Sequence, residues 1–197
     1  MKIGLYAGSF DPFQLGHLDI AIRAAGLLDS LYIGVGVNPE KHGGLFAPTD
    51  RVEMVRQTLN WHLQITPSDA QALDRIQVVQ YNTLVNEAAD RLGARYLVRG
   101  MRASDDFSDE WDLAGVLCKT APHLEFVHLM ARPAHIFERS KYVRQLTMFG
   151  SPDLEKFVSP PVAHALQIKF RRSPLSHPLI LYFTMLRKLF GMVQART

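Results

Sequence analysis

The sequence predicts an α/β fold: a doubly wound parallel sheet of about five strands, followed by C-terminal helices. Two observations carry that expectation. Between residues 2 and 130, short β-rich runs alternate with segments of helical period, the pattern of strand–helix–strand units joined by right-handed crossovers. Glycine, histidine and arginine residues also stand directly after several of the strand runs, and sheets of this kind bind ligands beyond the carboxyl ends of their strands.

Taken in order, residues 2–6 read as the first strand, 16–28 as a helix and 31–37 as the second strand. A helix pattern follows at 48–59, a strand at 76–81, a helix at 83–92 and a buried-looking strand at 95–98. A long helix over 106–119 precedes a fifth strand at 124–130. Between the second helix and third strand, residues 62–74 contain Thr-Pro-Ser-Asp and read as a surface loop. After Pro160-Pro161 a helix pattern runs to about residue 172, where Ser173-Pro174-Leu175-Ser176-His177-Pro178 breaks it. There is no internal repeat. If the strands are parallel, residues 8–17, 38–41, 99–102 and 131–144 should converge at one edge of the sheet.

A chain of 197 residues, 47% apolar and 21% charged, can bury a full core of roughly 150 residues with an appendage. Its net charge of +3 falls short of a dedicated nucleic-acid binder, and anionic small molecules suit it as well. Cys118 has no cysteine to pair with, so a disulfide framework is excluded and a reducing compartment, the cytoplasm, is expected. Cys118 itself reads as a buried helix residue rather than a nucleophile. The opening residues lack the features of a secretory signal, and no run reaches the length of a membrane span. No histidine pair has ligand spacing, so no metal held by protein ligands is expected.

Three stretches carry chemistry. The first strand ends in Gly8-Ser9-Phe10-Asp11-Pro12-Phe13-Gln14-Leu15-Gly16-His17, where Gly8 lets backbone approach a ligand and Gly16-His17 opens a helix whose N-terminus welcomes an anion. The plainer reading is a tight strand-to-helix turn with Asp11 as the helix cap. The fourth strand ends in Val98-Arg99-Gly100-Met101-Arg102-Ala103, followed by Asp106-Phe107 and Glu110. Two arginines around a glycine make a cradle of fixed donors for phosphates; the plainer reading pairs them with Asp105, Asp106, Asp109 and Glu110. After the second strand comes Val37-Asn38-Pro39-Glu40-Lys41, whose lysine is either a mobile cation for a reacting centre or a solvated loop residue.

These stretches together resemble the phosphopantetheine adenylyltransferases of the nucleotidyltransferase superfamily, whose fold is Rossmann-like. The first is similar to the signature GxFDPxxxGH, in which T/H-x-G-H reads here Gln14-Leu15-Gly16-His17; the second is similar to RGLRAxxDFxxE. The likeness runs with few gaps from residue 2 to about 166, and without a gap over 98–144. It implies a nucleotidyltransferase domain over 1–166 and an added basic, amphipathic helical extension over 167–197.

By that resemblance His17, Lys41 and Arg102 are the catalytic residues, with His17 bonding the α-phosphate as charge builds on it. Gly8, Ser9, Phe10, Gln14, Arg102, Glu110, Ser140 and Arg144 join His17 around the nucleotide. Ser9, Lys41, Thr83, Leu84 and Arg99 meet the acceptor. The implied reaction is adenylyl transfer from ATP, carried with Mg2+, to 4′-phosphopantetheine, giving dephospho-CoA and pyrophosphate. The family forms homo-oligomers.

Three departures keep rival readings open. Gln14 replaces threonine or histidine and cannot carry charge. The family's ISSSxVR reads here Glu138-Arg139-Ser140-Lys141-Tyr142-Val143-Arg144, which brings a carboxylate toward a phosphate site. Gly115-Val116-Leu117-Cys118 lacks the family's asparagine and basic residue. One rival keeps the reaction class but changes the nucleotide or the phosphorylated acceptor. The other is a non-catalytic nucleotide-binding or scaffold protein. In the tail, residues 178–193 are apolar, with Arg187 and Lys188 on one face, and would pack on the core, on another subunit or on an anionic membrane surface.

Overall fold

The computed structural model describes residues 1–37, 44–102 and 104–171. Five parallel strands form one sheet: β1 (Ile3–Gly8), β2 (Ser30–Gly36), β3 (Ile76–Tyr81), β4 (Tyr96–Met101) and β5 (Glu125–Met130). Their spatial order is β3-β2-β1-β4-β5. The chain therefore winds outward from β1 in one direction, returns, and builds the other half from β4. The switch lies between β1 and β4, which pair Gly4 with Tyr96, Leu5 with Leu97 and Tyr6 with Val98. A crevice opens beyond the strand ends at such a switch because the two connecting segments leave to opposite faces.

Alternation along the strands supplies two cores. Tyr6, Leu31, Ile33, Val35 and Val98 face one side, under α1 (Leu15–Leu27) and α2 (Pro48–Ile65). Leu5, Ala7 and Leu97 face the other, under α4 (Val85–Leu92) and α5 (Ser104–Thr120), which contribute Ala88, Ala89 and Leu117. Gly93 closes α4 in the left-handed conformation, φ 64°.

Two expectations need correction here. The surface loop expected over 62–74 is largely helical: α2 continues to Ile65, a 3-10 turn spans Pro67–Asp69, and α3 (Ala70–Leu73) follows. Nothing stops α2 before Pro67, and Leu59 and Trp61 pack against the first core; His62 Nε2 then meets Asp69 Oδ2 at 2.7 Å. Cys118 lies in α5 as expected but is exposed. The core-facing residues of that helix are Leu113 and Leu117, and the next residue is rotated about 100° away.

The chain divides into two compact units, Met1–Glu138 and Arg139–Thr197. In the second unit α6 (Ser140–Met148) and α7 (Pro160–Arg171) flank a 3-10 turn at Pro152–Lys156, and Val143, Leu154, Val158, Val162 and Leu166 are buried. Residues 166 and 167, the expected start of the extension, lie within α7, and the apolar segment 178–193 lies outside the described residues. Among the described residues, no helix is long and apolar enough to cross a membrane.

Candidate active site

The chain leaves β1 through a turn built around Phe10, whose φ of 47° is unusual for a residue with a side chain. That geometry folds the Phe10 ring back over Gly8, where a Cβ would stand 2.8 Å from it. Ser9 is exposed, while Phe10, Phe13 and Gln14 are buried. Asp11 does not cap α1. Its carboxylate accepts from the backbone N–H groups of Leu45 and Phe46, at 2.6 and 3.1 Å, and so anchors the approach to α2.

The cap of α1 is Gln14, which forms a reciprocal box with His17: each side chain accepts from the other residue's backbone N–H. Gln14 N donates to His17 Nδ1 at 3.0 Å, so the neutral imidazole carries its hydrogen on Nε2. Burial against Phe10 and Phe13, and secondly the charge of Arg102, hold the His17 pKa down at about 3. The residue at the mouth of α1 is therefore a neutral donor.

Arg99 and Arg102 end β4, and each meets a carboxylate from α5. Arg99 Nε and one terminal nitrogen bond Glu110 at 2.7 and 2.6 Å, and the other terminal nitrogen donates to Ala7 O at 2.9 Å. Burial disfavours the Arg99 charge, but the Glu110 bonds outweigh it and the pKa is raised. Arg102 bonds Asp106 through Nε and one terminal nitrogen, at 3.0 and 3.1 Å. The reversal between β4 and α5 makes these pairs, because residues equally far from the bend come together. Of the ion pairs expected from the sequence, those of Arg99 with Glu110 and of Arg102 with Asp106 are formed.

A carboxylate of the chain itself reaches the N-terminus of α1. Glu138, 4% exposed, accepts from Gly16 N through Oε2 and meets His135 Nδ1 through Oε1 at 2.7 Å. A Cβ on residue 16 would stand 2.8 Å from Oε2, which is why glycine occupies that position. The Glu138 carbonyl accepts from Arg102 at 2.9 Å.

Thr83 and Leu84 stand between β3 and α4. Leu84 caps α4 and is 67% exposed, and Thr83 donates to its carbonyl at 3.2 Å. Ser140 begins α6 and Arg144 lies one turn later, both in the second unit. Lys41 lies outside the described residues. One participant was missed: Arg51, 7% exposed, donates to Ser9 O at 2.7 Å and Gly36 O at 3.4 Å, joining the ends of β1 and β2. Its Nε is buried without a hydrogen-bond partner. The signal was an arginine at helical spacing from Met54, Val55 and Thr58, on the buried face of α2. Among the described residues, no three histidine, cysteine or acidic side chains cluster as metal ligands would.

Residues 5–146 match the family described as cytidylyltransferase-like. A phosphopantetheine adenylyltransferase of Roseobacter denitrificans is 40% identical over 176 residues, covering 88% of this chain and 99% of that protein. The chain belongs to the phosphopantetheine adenylyltransferase family. Another member, from Paracoccus denitrificans, is 40% identical over 172 residues, covering 87% of this chain and 100% of its own. The solved nicotinic acid mononucleotide adenylyltransferase of Plasmodium falciparum complexed with NaAD superposes with a TM-score of 0.60 at 15% identity, covering 87% of this chain and 96% of that one. A bifunctional NMN adenylyltransferase/ADP ribose pyrophosphatase of Francisella tularensis gives 0.56 at 14% identity, covering 100% of this chain and 56% of that one. At those identities the likeness is one of fold. In this phosphopantetheine adenylyltransferase family member Gly16-His17 opens α1, the helix after β1, while Arg99 and Arg102 stand at the end of β4, the neighbour of β1 in the sheet.

Proposed function

We propose that this chain transfers the adenylyl group of ATP to the phosphate of 4′-phosphopantetheine, forming dephospho-CoA and pyrophosphate. One observation carries the reading beyond family membership: a neutral imidazole with its hydrogen on Nε2, at the strand switch beside Arg102. An acceptor phosphate oxygen attacks the α-phosphorus in line, the bond from that phosphorus to the bridging oxygen breaks, and its electrons leave with pyrophosphate. The acceptor is already a competent nucleophile, so catalysis consists of positioning and charge stabilisation.

In this reading His17 donates from Nε2 to the α-phosphate, and Arg102 holds the donor's phosphates. Arg99, held by two bonds to Glu110, faces the acceptor's phosphate. Gly8, Ser9, Phe10 and Gln14 shape the turn beneath both. Roles for Lys41, Thr83, Leu84, Ser140 and Arg144 rest on the family motifs alone. Mg2+ enters as part of the substrate, held mainly by phosphate oxygens and water.

We place the protein in the cytoplasm as a homo-oligomer. On α5 the exposed rings of Phe107 and Trp111 stack at 5.7 Å, an apolar patch that a second copy would cover. Contact of the basic tail with an anionic membrane is the subordinate proposal. Vesicle co-sedimentation that did not differ between the full chain and a truncation at Arg172 would remove it.

Glu138 at the mouth of α1 favours a second reading, a changed nucleotide or phosphorylated acceptor within the same reaction class. Pyrophosphate release measured over four nucleoside triphosphates and several phosphorylated acceptors separates the two. The proposal expects ATP with 4′-phosphopantetheine to be fastest; another pair being fastest would establish the second reading. Calorimetric binding of ATP without pyrophosphate release from any pair would mark a non-catalytic protein.

A further inference from the structure

Glu138 is a carboxylate in an expensive place. It is 4% exposed, and burying an ionised carboxyl is costly unless hydrogen bonds replace the lost water. Burial pushes its pKa upward, and the bonds from His135 and from Gly16 N pull in the opposite direction. A merely space-filling role would be served better by an apolar side chain, so the bonds made by residue 138 are where its purpose lies.

Those bonds reach two separate segments. Oε2 accepts from the backbone of Gly16, the residue immediately before His17. The carbonyl of Glu138 accepts from Arg102, whose other edge is held by Asp106. His135, three residues earlier, steadies the carboxylate at 2.7 Å through Oε1. The Arg102 guanidinium is thus fixed on two sides, and one side is the backbone of a residue whose own side chain is tied to α1. His17 and Arg102, far apart in sequence, are connected through this one residue.

We propose that Glu138 is a positioning residue for the nucleoside triphosphate: by clamping the start of α1 to the loop after β5, it sets the guanidinium of Arg102 relative to Nε2 of His17. This rests on the donor-side assignment of those two residues made above. The N–H of Gly16 is already engaged by Glu138, so His17 Nε2 and Arg102, rather than that backbone amide, supply the donors to the triphosphate.

The test is steady-state pyrophosphate release by the full chain and by Glu138→Ala and Glu138→Gln, with thermal unfolding of each. Glu138→Ala is expected to raise KM for ATP on the order of tenfold, with KM for 4′-phosphopantetheine within about twofold of the parent. In Glu138→Gln the amide oxygen can still accept from Gly16 N, so most of the loss should be recovered. An unchanged KM for ATP in Glu138→Ala would overturn the proposal. Equal rises in both KM values alongside a lowered Tm would also overturn it, because that pattern is general loosening. Should Glu138→Ala fail to fold, His135→Ala takes its place: a smaller rise confined to ATP is expected, and no rise overturns the proposal. Calorimetric titration with ATP alone reads the same loss without turnover. A parent chain that binds ATP but releases no pyrophosphate would defeat the proposed reaction while still deciding the role of Glu138.

Discussion

The backbone N–H of Gln14 donates to His17 Nδ1 at 3.0 Å, and this single bond decides which nitrogen of the imidazole faces a substrate. With Nδ1 used as acceptor, the ring offers Nε2–H and has no need of a positive charge.

The first prediction concerns pH. The His17 pKa is lowered from 6.5 to about 3, so the ring stays neutral through the working range. No ionisation belonging to residue 17 should appear in kcat/KM near pH 6.5, and His17→Gln should lower the profile without changing its shape. Stability carries the matching sign. Below about 6.5 the unfolded chain takes up a proton that the folded chain refuses until about 3, so acidification through that window destabilises the fold. Tm should therefore fall more steeply over that window in the parent than in His17→Gln. Equal slopes would mean that residue 17 is not held neutral.

Removal of the donor gives the second prediction. His17→Ala should lose about 2.7–4 kcal/mol of transition-state stabilisation, a fall of roughly 10²- to 10³-fold in kcat/KM. Wild-type kcat/KM in that variant would exclude a role at the reacting phosphate.

The pair between Arg99 and Glu110 gives the third. Glu110→Ala leaves a largely buried guanidinium without its carboxylate and should cost about 1–3 kcal/mol in urea denaturation. Replacing both residues with methionine should recover most of that stability while leaving KM for the acceptor raised. Recovery of both would show that Arg99 serves the fold alone.

Gly16→Ala tests the close approach of α1 to the loop after β5. A Cβ there would stand 2.8 Å from Glu138 Oε2, and this outweighs the roughly 1 kcal/mol that alanine gains over glycine in a helix. Stability should drop modestly and KM for ATP should rise. An enzyme unchanged in both would show that the carboxylate moves aside freely.

Much of the fold was legible because its elements carry strong local signals. Leu31, Ile33 and Val35 alternate onto one face of β2, and the boundaries of β3 at Ile76–Tyr81 follow directly from such a run. Turn signals were weaker guides. Thr-Pro-Ser-Asp does mark the end of α2, but one turn of helix lies on either side of it, sustained by Trp61 packing and by the His62–Asp69 contact. Cys118 was misjudged because cysteine is usually buried, whereas its angle on α5 is set by Leu113 and Leu117.

The site was legible in its residue types and in the carboxylates that meet Arg99 and Arg102, but not in its other partners. The arginines, their carboxylates and the histidine all stand in recognisable motifs, yet Asp11 serves Leu45 and Phe46 rather than capping α1, since Gln14 and His17 cap it between them. Arg51 reaches Ser9 across 42 positions and Glu138 reaches Gly16 across 122, and no local pattern encodes contacts at those separations.

The measurement that tests the central claim most directly is a single-turnover reaction of the full chain with Mg2+, ATP and 4′-phosphopantetheine, following dephospho-CoA and pyrophosphate together, in the parent and in His17→Ala. The account predicts equal amounts of the two products from the parent and a fall of roughly 10²- to 10³-fold in rate for the variant. Absence of dephospho-CoA from the parent, or equal rates in the two proteins, would contradict it.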